Sequence, residues 1–232
     1  MELFIIRHGQ SGNNAMEDVT KRSKDPLLTE IGEQQAECVG PYLGAGQHLD
    51  VAEKQNGRPF LDRLYCSPMI RTLQTARPIG RALGLAPEVW VDIHEQGGVF
   101  LDHGDERGVV GYPGQTRSQI QEQFLEYELP EEVGEEGWWN KGCEEIQGCH
   151  GRAIWVAAAL QERIAEDTRI GLVSHGGFID SLLKALSHQL PGNGLHYAHH
   201  NTAITRVDFS PEGRTVIRYM NRVDHLSEEL VT

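Results

Sequence analysis

Ionisable side chains recur at, or a few residues after, the ends of short apolar runs in this sequence. The set comprises Arg7, His8, Arg71, Glu95 and His175. Two guanidinium groups match the charge and the geometry of a phosphate dianion. A neutral imidazole is a competent nucleophile, and a protonated carboxyl can give its proton to a leaving oxygen. These residue types predict phosphoryl transfer through a phosphohistidine on His8, with Glu95 as the general acid and with no metal.

Each of these residues taken singly has an ordinary structural interpretation, because a lone histidine after a strand is more often a hydrogen-bonding group. Their combination favours chemistry. The charges of Arg7 and Arg71 disfavour protonation of His8, which keeps a ring nitrogen free to attack phosphorus. The glycines beside the two histidines, Gly9 and Gly176, allow close approach of a ligand to the backbone. We expect the N-termini of the helices at this edge to offer further N–H donors to a bound anion.

Short apolar runs alternate with helical patterns along the chain. The predicted strands cover residues 3–6, 61–66, 88–91 and 170–173, with a closing antiparallel pair at 203–209 and 215–219. The predicted helices cover residues 29–43, 67–83, 142–166 and 177–186, with Ser67-Pro68 typical of a helix start. This alternation predicts an α/β fold, a three-layer αβα sandwich with a mostly parallel sheet. Because ligands of such sheets bind at the carboxyl ends of the strands, the charged residues should meet at one edge.

Residues 96–141 break this alternation and are rich in glycine, glutamate and aromatic residues. A loop this long in a compact domain is more often functional than idle. We interpret it as a cap inserted into a single domain of residues 1–232, helical near residues 117–125 and covering the active site. Its aromatic residues would contact the substrate and its basic residues would bind a second acidic group, although packing or surface exposure is the ordinary role of each. The aromatic residues are Phe100, Tyr112, Trp138 and Trp139. The basic residues are Arg107, Arg117 and Lys141.

The composition narrows the range of partners. With 21 basic and 34 acidic residues among 232, the net charge of −13 weighs against binding nucleic acid or anionic lipid over a broad surface. We find neither a signal peptide nor a membrane span, and four cysteines do not make a secreted disulfide framework, so we expect a cytoplasmic protein. The spacing of Cys143, Cys149 and His150 is unlike a zinc knuckle, and residues 94–98 lack the second histidine of H-E-x-x-H. We therefore expect neither a metal nor a cofactor.

Five segments of the chain carry a resemblance to a known family. They are residues 6–14 (IRHGQSGNN), 28–36 (LTEIGEQQA), 67–76 (SPMIRTLQTA), 173–177 (VSHGG) and 201–204 (NTAI). In this order they resemble the motif blocks of the histidine phosphatase superfamily, the phosphoglycerate-mutase-like fold, in its larger branch 1. The resemblance extends along the whole chain except for residues 96–141.

The resemblance implies a role for each matching residue. His8 would be the phosphorylated nucleophile. The phosphate pocket would comprise Arg7, Asn14, Arg71, His175 and Gly176, all of them present here. Glu95 falls where the family places its proton donor, after the third strand, with Asp92 and Asp102 as weaker candidates.

The resemblance also bears on the activity. Mutases of the family usually carry E-R-x-Y-G after the third strand, where this chain has Glu95-Gln96-Gly97-Gly98-Val99. The missing arginine and tyrosine favour hydrolysis, so we predict a phosphatase that acts on a small phosphorylated substrate. A cofactor-dependent phosphoglycerate mutase and a non-catalytic protein that binds a phosphorylated ligand are the alternatives. An exposed sheet edge or the pair Trp138-Trp139 would provide the surface for a homodimer.

Overall fold

The strands and helices alternate along the chain in the computed structural model, which describes residues 1–192 and 194–232. The strands are β1 (Glu2–Arg7), β2 (Arg63–Cys66), β3 (Glu88–Val89), β4 (Phe100–Asp102), β5 (Val109–Gly111), β6 (Arg169–Ser174), β7 (Ile204–Phe209) and β8 (Thr215–Arg222). The α-helices are α1 (Glu30–Gly44), α2 (Val51–Gln55), α3 (Ile70–Leu83), α4 (Arg117–Gln123), α5 (Ile146–Gln161) and α6 (Gly176–Leu186).

Six of these strands form one sheet in the order β3-β2-β6-β1-β7-β8. The first four strands of that order run parallel to one another, whereas β7 and β8 extend the sheet in antiparallel pairing. The register places Arg7 at the end of β1 opposite Ser174 at the end of β6. His8 and His175 therefore leave the sheet side by side at its carboxyl edge.

Helices cover both faces of the sheet because side chains alternate between the faces along each strand. In β1, Phe4 and Ile6 belong to the core that α1 and α3 complete. Leu3 and Ile5 belong to the opposite core, which α5 and α6 complete. This arrangement confirms the predicted three-layer αβα sandwich with a mostly parallel sheet.

Two helices begin later than their sequence signals predict. The first residue of α3 is Ile70, with Met69 at the N-cap, so Ser67 does not cap the helix. The hydroxyl of Ser67 instead lies 2.8 Å from Nε2 of His175. Helix α5 begins at Ile146 rather than near Gly142, because Gly142 has a positive φ of 71° that no α-helix accommodates.

Residues 96–141 form the β4–β5 hairpin, the predicted helix at α4 and connecting loops. Trp138 and Trp139 are only 6% and 3% exposed and pack in the core shared with α3. The interpretation of this tryptophan pair as a substrate-contacting or dimer-forming surface is therefore wrong. Its large apolar rings contribute to the hydrophobic core of the fold instead.

None of the helices in the described residues combines the length and the apolarity needed to cross a lipid bilayer.

The loop after His8 and the first turn of α1 approach each other closely. The carbonyl oxygen of Gln10 accepts a hydrogen bond from the backbone N–H of Thr29, the N-cap of α1. A Cβ atom added at Gly32 would collide with that carbonyl oxygen, and one added at Gly9 would lie 2.5 Å from the carbonyl oxygen of Gly32. Both glycines are therefore required for this backbone contact.

We expect Gly32→Ala to lower the free energy of unfolding by about 1–3 kcal/mol, the usual effect of overpacking a rigid contact. Urea unfolding of the purified protein measures this change. Gly151→Ala is the matched control, because Gly151 lies in α5 with nothing within 4 Å of an added Cβ. The control should gain about 0.5–1 kcal/mol from helix propensity. Equal stability changes in the two variants would contradict the close-contact account.

Candidate active site

His8 and His175 lie at the centre of the carboxyl edge of the sheet, with ring centroids 5.1 Å apart. Both side chains are buried. Arg71, in the first turn of α3, also contacts His8. The structure therefore brings together the residues predicted from three separate strand ends.

The hydrogen bonds of His8 fix its tautomer. Its Nδ1 lies 2.6 Å from the carbonyl oxygen of Gly9, and its Nε2 lies 3.1 Å from Nε of Arg71. Because the carbonyl can only accept and the guanidinium can only donate, the proton of the neutral ring is on Nδ1. The lone pair of Nε2 is then available at the edge of the sheet.

Burial lowers the pKa of His8 well below its ordinary value, and the positive charges of Arg71 and then Arg7 lower it further. Burial also lowers the pKa of His175, again with a further contribution from Arg71. Both rings are therefore neutral at pH 7, mainly because they are buried, and the arginine charges that the sequence indicates for His8 add to that effect. A neutral Nε2 is the form of histidine that can act as a nucleophile.

Two polar atoms beside His8 have no hydrogen-bond partner among the described residues. They are Nε of Arg7 and Nδ1 of His175. The other ends of both side chains are anchored, since Nη1 of Arg7 donates to the carbonyl oxygen of His199 at 2.5 Å and Nε2 of His175 lies 2.8 Å from Oγ of Ser67. Gly176 is next to Arg7, since a Cβ added there would lie 3.5 Å from Nε of Arg7, in ordinary van der Waals contact.

The N-termini of α6 and α3 hold the protein's own carboxylates. Glu95 accepts hydrogen bonds from the backbone N–H groups of Gly177 and Phe178, at 3.3 and 3.0 Å. Asp25 accepts from the N–H of Ile70 with both oxygens at 3.3 Å. The N–H groups of Ile70, Gly177 and Phe178 are therefore occupied by these carboxylates, and the expectation that the helix N-termini offer further donors to a bound anion stays a prediction for the other N–H groups of the first turns.

Asp25 is a site residue that the sequence analysis missed. Its carboxylate lies 3.5 Å from Nη1 of Arg71, and both side chains are almost fully buried. Burial raises the pKa of Asp25 to about 6, against the opposing effect of the Arg71 charge. Asp25 thus balances Arg71 on the side away from His8. Its position three residues before Leu28, in a loop rich in polar residues, carries no chemical signal by itself.

A cavity of about 350 Å³ opens beside these groups. It is lined by Arg71, Glu95 and Gly177 at one end, by Met69, Phe100 and Leu101 on its apolar wall, and by Asn13, Arg22, Lys24 and Asp102. Phe100 is therefore placed where a substrate can reach it. Asn14 is exposed, and its side-chain oxygen accepts hydrogen bonds from the N–H and hydroxyl of Ser11, so its proposed phosphate contact stays a prediction.

The basic residues expected to bind a second acidic group have other partners. Arg117 donates to the backbone carbonyls of residues 129, 130 and 133. Arg107 pairs with Asp105 through two nitrogens, and Lys141 lines a different cavity, shared with Asp92. That assignment is wrong, and Asp92 also lies away from the cavity that Glu95 lines. Arg22 and Lys24 are the basic residues at the mouth of that cavity.

The carbonyl of His8 is supported from behind by the segment that contains the NTAI motif. The side-chain amide of Asn201 donates to it at 2.9 Å. The N–H of Thr202 donates to the carbonyl oxygen of Arg7 at 3.0 Å. Asn201 is in turn held by Thr232, whose hydroxyl lies 3.1 Å from the Asn201 side-chain oxygen. The motif therefore acts on the backbone that carries His8.

Comparison with known proteins agrees with this geometry. The family model of the histidine phosphatase superfamily (branch 1) matches residues 3–222. The chain therefore belongs to that superfamily, as the motif blocks predict. The roles of the individual residues stay predictions.

Two sequence relatives differ greatly in how much of each chain they match. A broad-specificity phosphatase of Saccharomyces cerevisiae is 25% identical over 247 residues, which cover 98% of this chain and 88% of the yeast protein. A PE-PGRS family protein of Mycobacterium tuberculosis is 33% identical over 100 residues, which are 42% of this chain but only 15% of that protein.

Solved structures of similar fold cover nearly the whole chain. A mycobacterial glucosyl-3-phosphoglycerate phosphatase, solved with inorganic phosphate, has a TM-score of 0.58 at 21% identity and covers 97% of this chain and 99% of its own. A phosphoserine phosphatase of Entamoeba histolytica, in complex with 3-phosphoglyceric acid, has a TM-score of 0.56 at 22% identity with the same coverage. At these identities the likeness establishes the fold.

We expect Arg71→Gln to raise the pKa of His8 toward its ordinary value, because the variant lacks both the charge and the N–H donor at Nε2. Burial, the larger cause, stays in place, so the rise should be partial. NMR of the ring nitrogens as a function of pH measures the pKa and the tautomer. Arg77→Gln, on the exposed side of the same helix, is the control. Identical His8 titrations in wild type and Arg71→Gln would contradict the electrostatic account.

Proposed function

We propose that this chain is a phosphatase that hydrolyses phosphomonoesters through a phosphohistidine formed on Nε2 of His8. The observation that carries the proposal is the tautomer of His8, which is buried, neutral and protonated on Nδ1 beside two guanidinium groups. Membership of the histidine phosphatase superfamily and the broad-specificity phosphatase among the relatives support it.

The phosphate would be held by groups that already face His8. Nε of Arg7 and Nδ1 of His175 are buried donors without a partner among the described residues, and phosphate oxygens would accept from both. Nε of Arg71 would shift its hydrogen bond from His8 to a phosphate oxygen as the ester binds. That exchange releases the Nε2 lone pair only when a phosphate is present.

In the first step, Nε2 of His8 forms a bond to phosphorus while the bond from phosphorus to the ester oxygen breaks. Glu95 gives its proton to the departing oxygen, so that the product leaves as an alcohol. The bond from Nδ1–H to the Gly9 carbonyl stabilises the positive charge that develops on the ring. Arg7 and Arg71 stabilise the charge on the phosphoryl oxygens.

In the second step, water attacks phosphorus and the bond between phosphorus and Nε2 breaks. Glu95, now ionised, accepts the proton of that water, which restores the starting state of the enzyme. Glu95 lines the cavity together with Arg71, so it can meet the leaving alcohol and then the incoming water.

Local geometry disfavours the mutase alternative. Gly97 and Gly98 have positive φ angles of 94° and 70°. A Cβ at Gly97 would collide with the ring of Phe100, and one at Gly98 would collide with the ring of Trp139. The backbone therefore has no room for a tyrosine at position 98, where the mutase pattern places one. With no such residue to hold a second acceptor, water is the acceptor that the proposal assigns.

The substrate would be a small phosphorylated molecule whose organic part lies against Met69, Phe100 and Leu101 in the cavity. Arg22 and Lys24 would face any second anionic group that it carries. A cytoplasmic location is part of the proposal and is supported by the four cysteines, all of them free thiols. The homodimer stays a prediction.

We expect chelator-treated protein to hydrolyse p-nitrophenyl phosphate and His8→Ala to lose at least about 10³-fold in kcat, because the variant lacks the Nε2 atom on which the covalent intermediate forms. A release assay at pH 5–8 measures both. His150→Ala, at a half-buried position of α5 away from the cavity, is the matched histidine control and should keep its activity.

The same preparation separates the three candidate functions. Exchange of 2- and 3-phosphoglycerate, stimulated by a bisphosphate primer and faster than hydrolysis, would identify a mutase. Phosphate binding without turnover would identify a non-catalytic protein. Activity in His8→Ala equal to that of the wild type would overturn the mechanism.

A further inference from the structure

The backbone on both sides of Glu95 is held by side chains from other parts of the chain. Nη1 of Arg152, on α5, donates to the carbonyl oxygens of Asp92 and His94 at 2.7 and 2.9 Å. The hydroxyl of Ser174 donates to the carbonyl oxygen of Ile93 at 2.7 Å. Three successive carbonyls that precede Glu95 are therefore fixed by donors outside their own loop.

The residues after Glu95 are held by Glu144. Its backbone N–H donates to the carbonyl oxygen of Gly97 at 3.0 Å, and its carbonyl accepts from the side-chain amide of Gln96 at 3.3 Å. The carboxylate of Glu144 accepts two hydrogen bonds from Arg152, from Nε at 3.0 Å and from Nη2 at 2.5 Å. The ion pair thus joins the two sides of the acid loop, residues 92–97.

Arg152 also contacts the residue that binds the Glu95 carboxylate. Its guanidinium carbon lies 4.7 Å from the centre of the Phe178 ring, and the N–H of Phe178 donates to Glu95 at 3.0 Å. The side chains of Arg152 and Glu144 are only 9% and 12% exposed. A bidentate pair in a largely dry environment has little freedom to move, so it can fix its neighbours accurately.

We propose that the Arg152–Glu144 ion pair is a positioning device that holds Glu95 in line with the leaving oxygen of the substrate. This inference rests on the proposed function, since it assigns Glu95 the proton transfer. Neither Arg152 nor Glu144 lines the cavity that contains Arg71 and Glu95, so both act through the loop and not by contact with substrate.

The proposal predicts an effect that depends on the leaving group. An alkyl phosphate releases a strongly basic alkoxide unless a proton arrives as the bond breaks, whereas p-nitrophenolate leaves readily as the anion. A displaced Glu95 should therefore slow the alkyl ester and spare the nitrophenyl ester. Loss of folded protein would slow both equally.

The test measures kcat/KM for glycerol phosphate and for p-nitrophenyl phosphate in wild type, Arg152→Lys, Glu144→Gln and Glu95→Gln. The value of kcat/KM reports the steps from substrate binding to the departure of the first product, the alcohol. We expect Arg152→Lys and Glu144→Gln to lose about 10- to 100-fold on glycerol phosphate and less than about 3-fold on p-nitrophenyl phosphate. Glu95→Gln should show the same discrimination to a greater extent.

The matched control is Glu53→Gln. Glu53 forms the same bidentate pair with Arg206, but its neighbours in the cavity there are Asp50, Arg218 and Arg222. This variant should keep both activities, and thermal unfolding should show how much stability each lost pair contributes. If Arg152→Lys fails to fold, Glu144→Gln alone decides the question.

If the two variants lose the same factor in kcat/KM on both substrates, or lose nothing on either, the positioning role is overturned while the phosphatase proposal stays intact. Absence of turnover of either ester by the wild-type protein would instead overturn the proposed function, and the positioning role with it.

Discussion

The buried guanidinium of Arg71, the half-buried guanidinium of Arg7 and two helix N-termini converge beside a buried histidine, and the fold has to balance their positive charge without protonating that ring. Asp25 lies at the N-terminus of α3 and balances the charge of Arg71, while Glu95 occupies the N-terminus of α6. Burial and the same two arginines lower the pKa of His8. One electrostatic arrangement therefore explains the neutral ring of His8, the orientation of Arg71 and the position of Glu95.

The support for this arrangement comes from segments far apart in the chain. Asn201 holds the carbonyl of His8, His199 holds Arg7, and Arg152 holds the loop of Glu95. These contacts depend on the parallel sheet. The strands β2, β6 and β1 are neighbours in it, so the residues that follow them meet at its carboxyl edge. Donor groups stabilise a multiply charged ligand better when they are held in place before the ligand binds. The buried partners of these side chains give the walls that rigidity.

The sheet, the two cores and the central group of His8, Arg7, Arg71 and His175 could be predicted, because apolar runs and the charges that end them are local signals. Helix α2 could not, since its capping box of Asp50 and Glu53 closes only five residues. Asp25 and Glu144 could not either, because their roles depend on distant partners and their neighbours in sequence are ordinary polar residues. The interpretation of Trp138 and Trp139 is wrong for a related reason. Composition does not distinguish a tryptophan that packs in the core from one that meets a substrate.

The most direct test of the central claim is to identify the phosphorylated atom. The protein would be mixed with a phosphomonoester, quenched with alkali within milliseconds to preserve an acid-labile phosphoramidate, and examined by mass spectrometry and 31P NMR. The account predicts one phosphate per chain, on Nε2 of His8, formed and lost at rates compatible with turnover. Turnover without any phosphoenzyme, or phosphate on Nδ1 of His8 or on another residue, would contradict it.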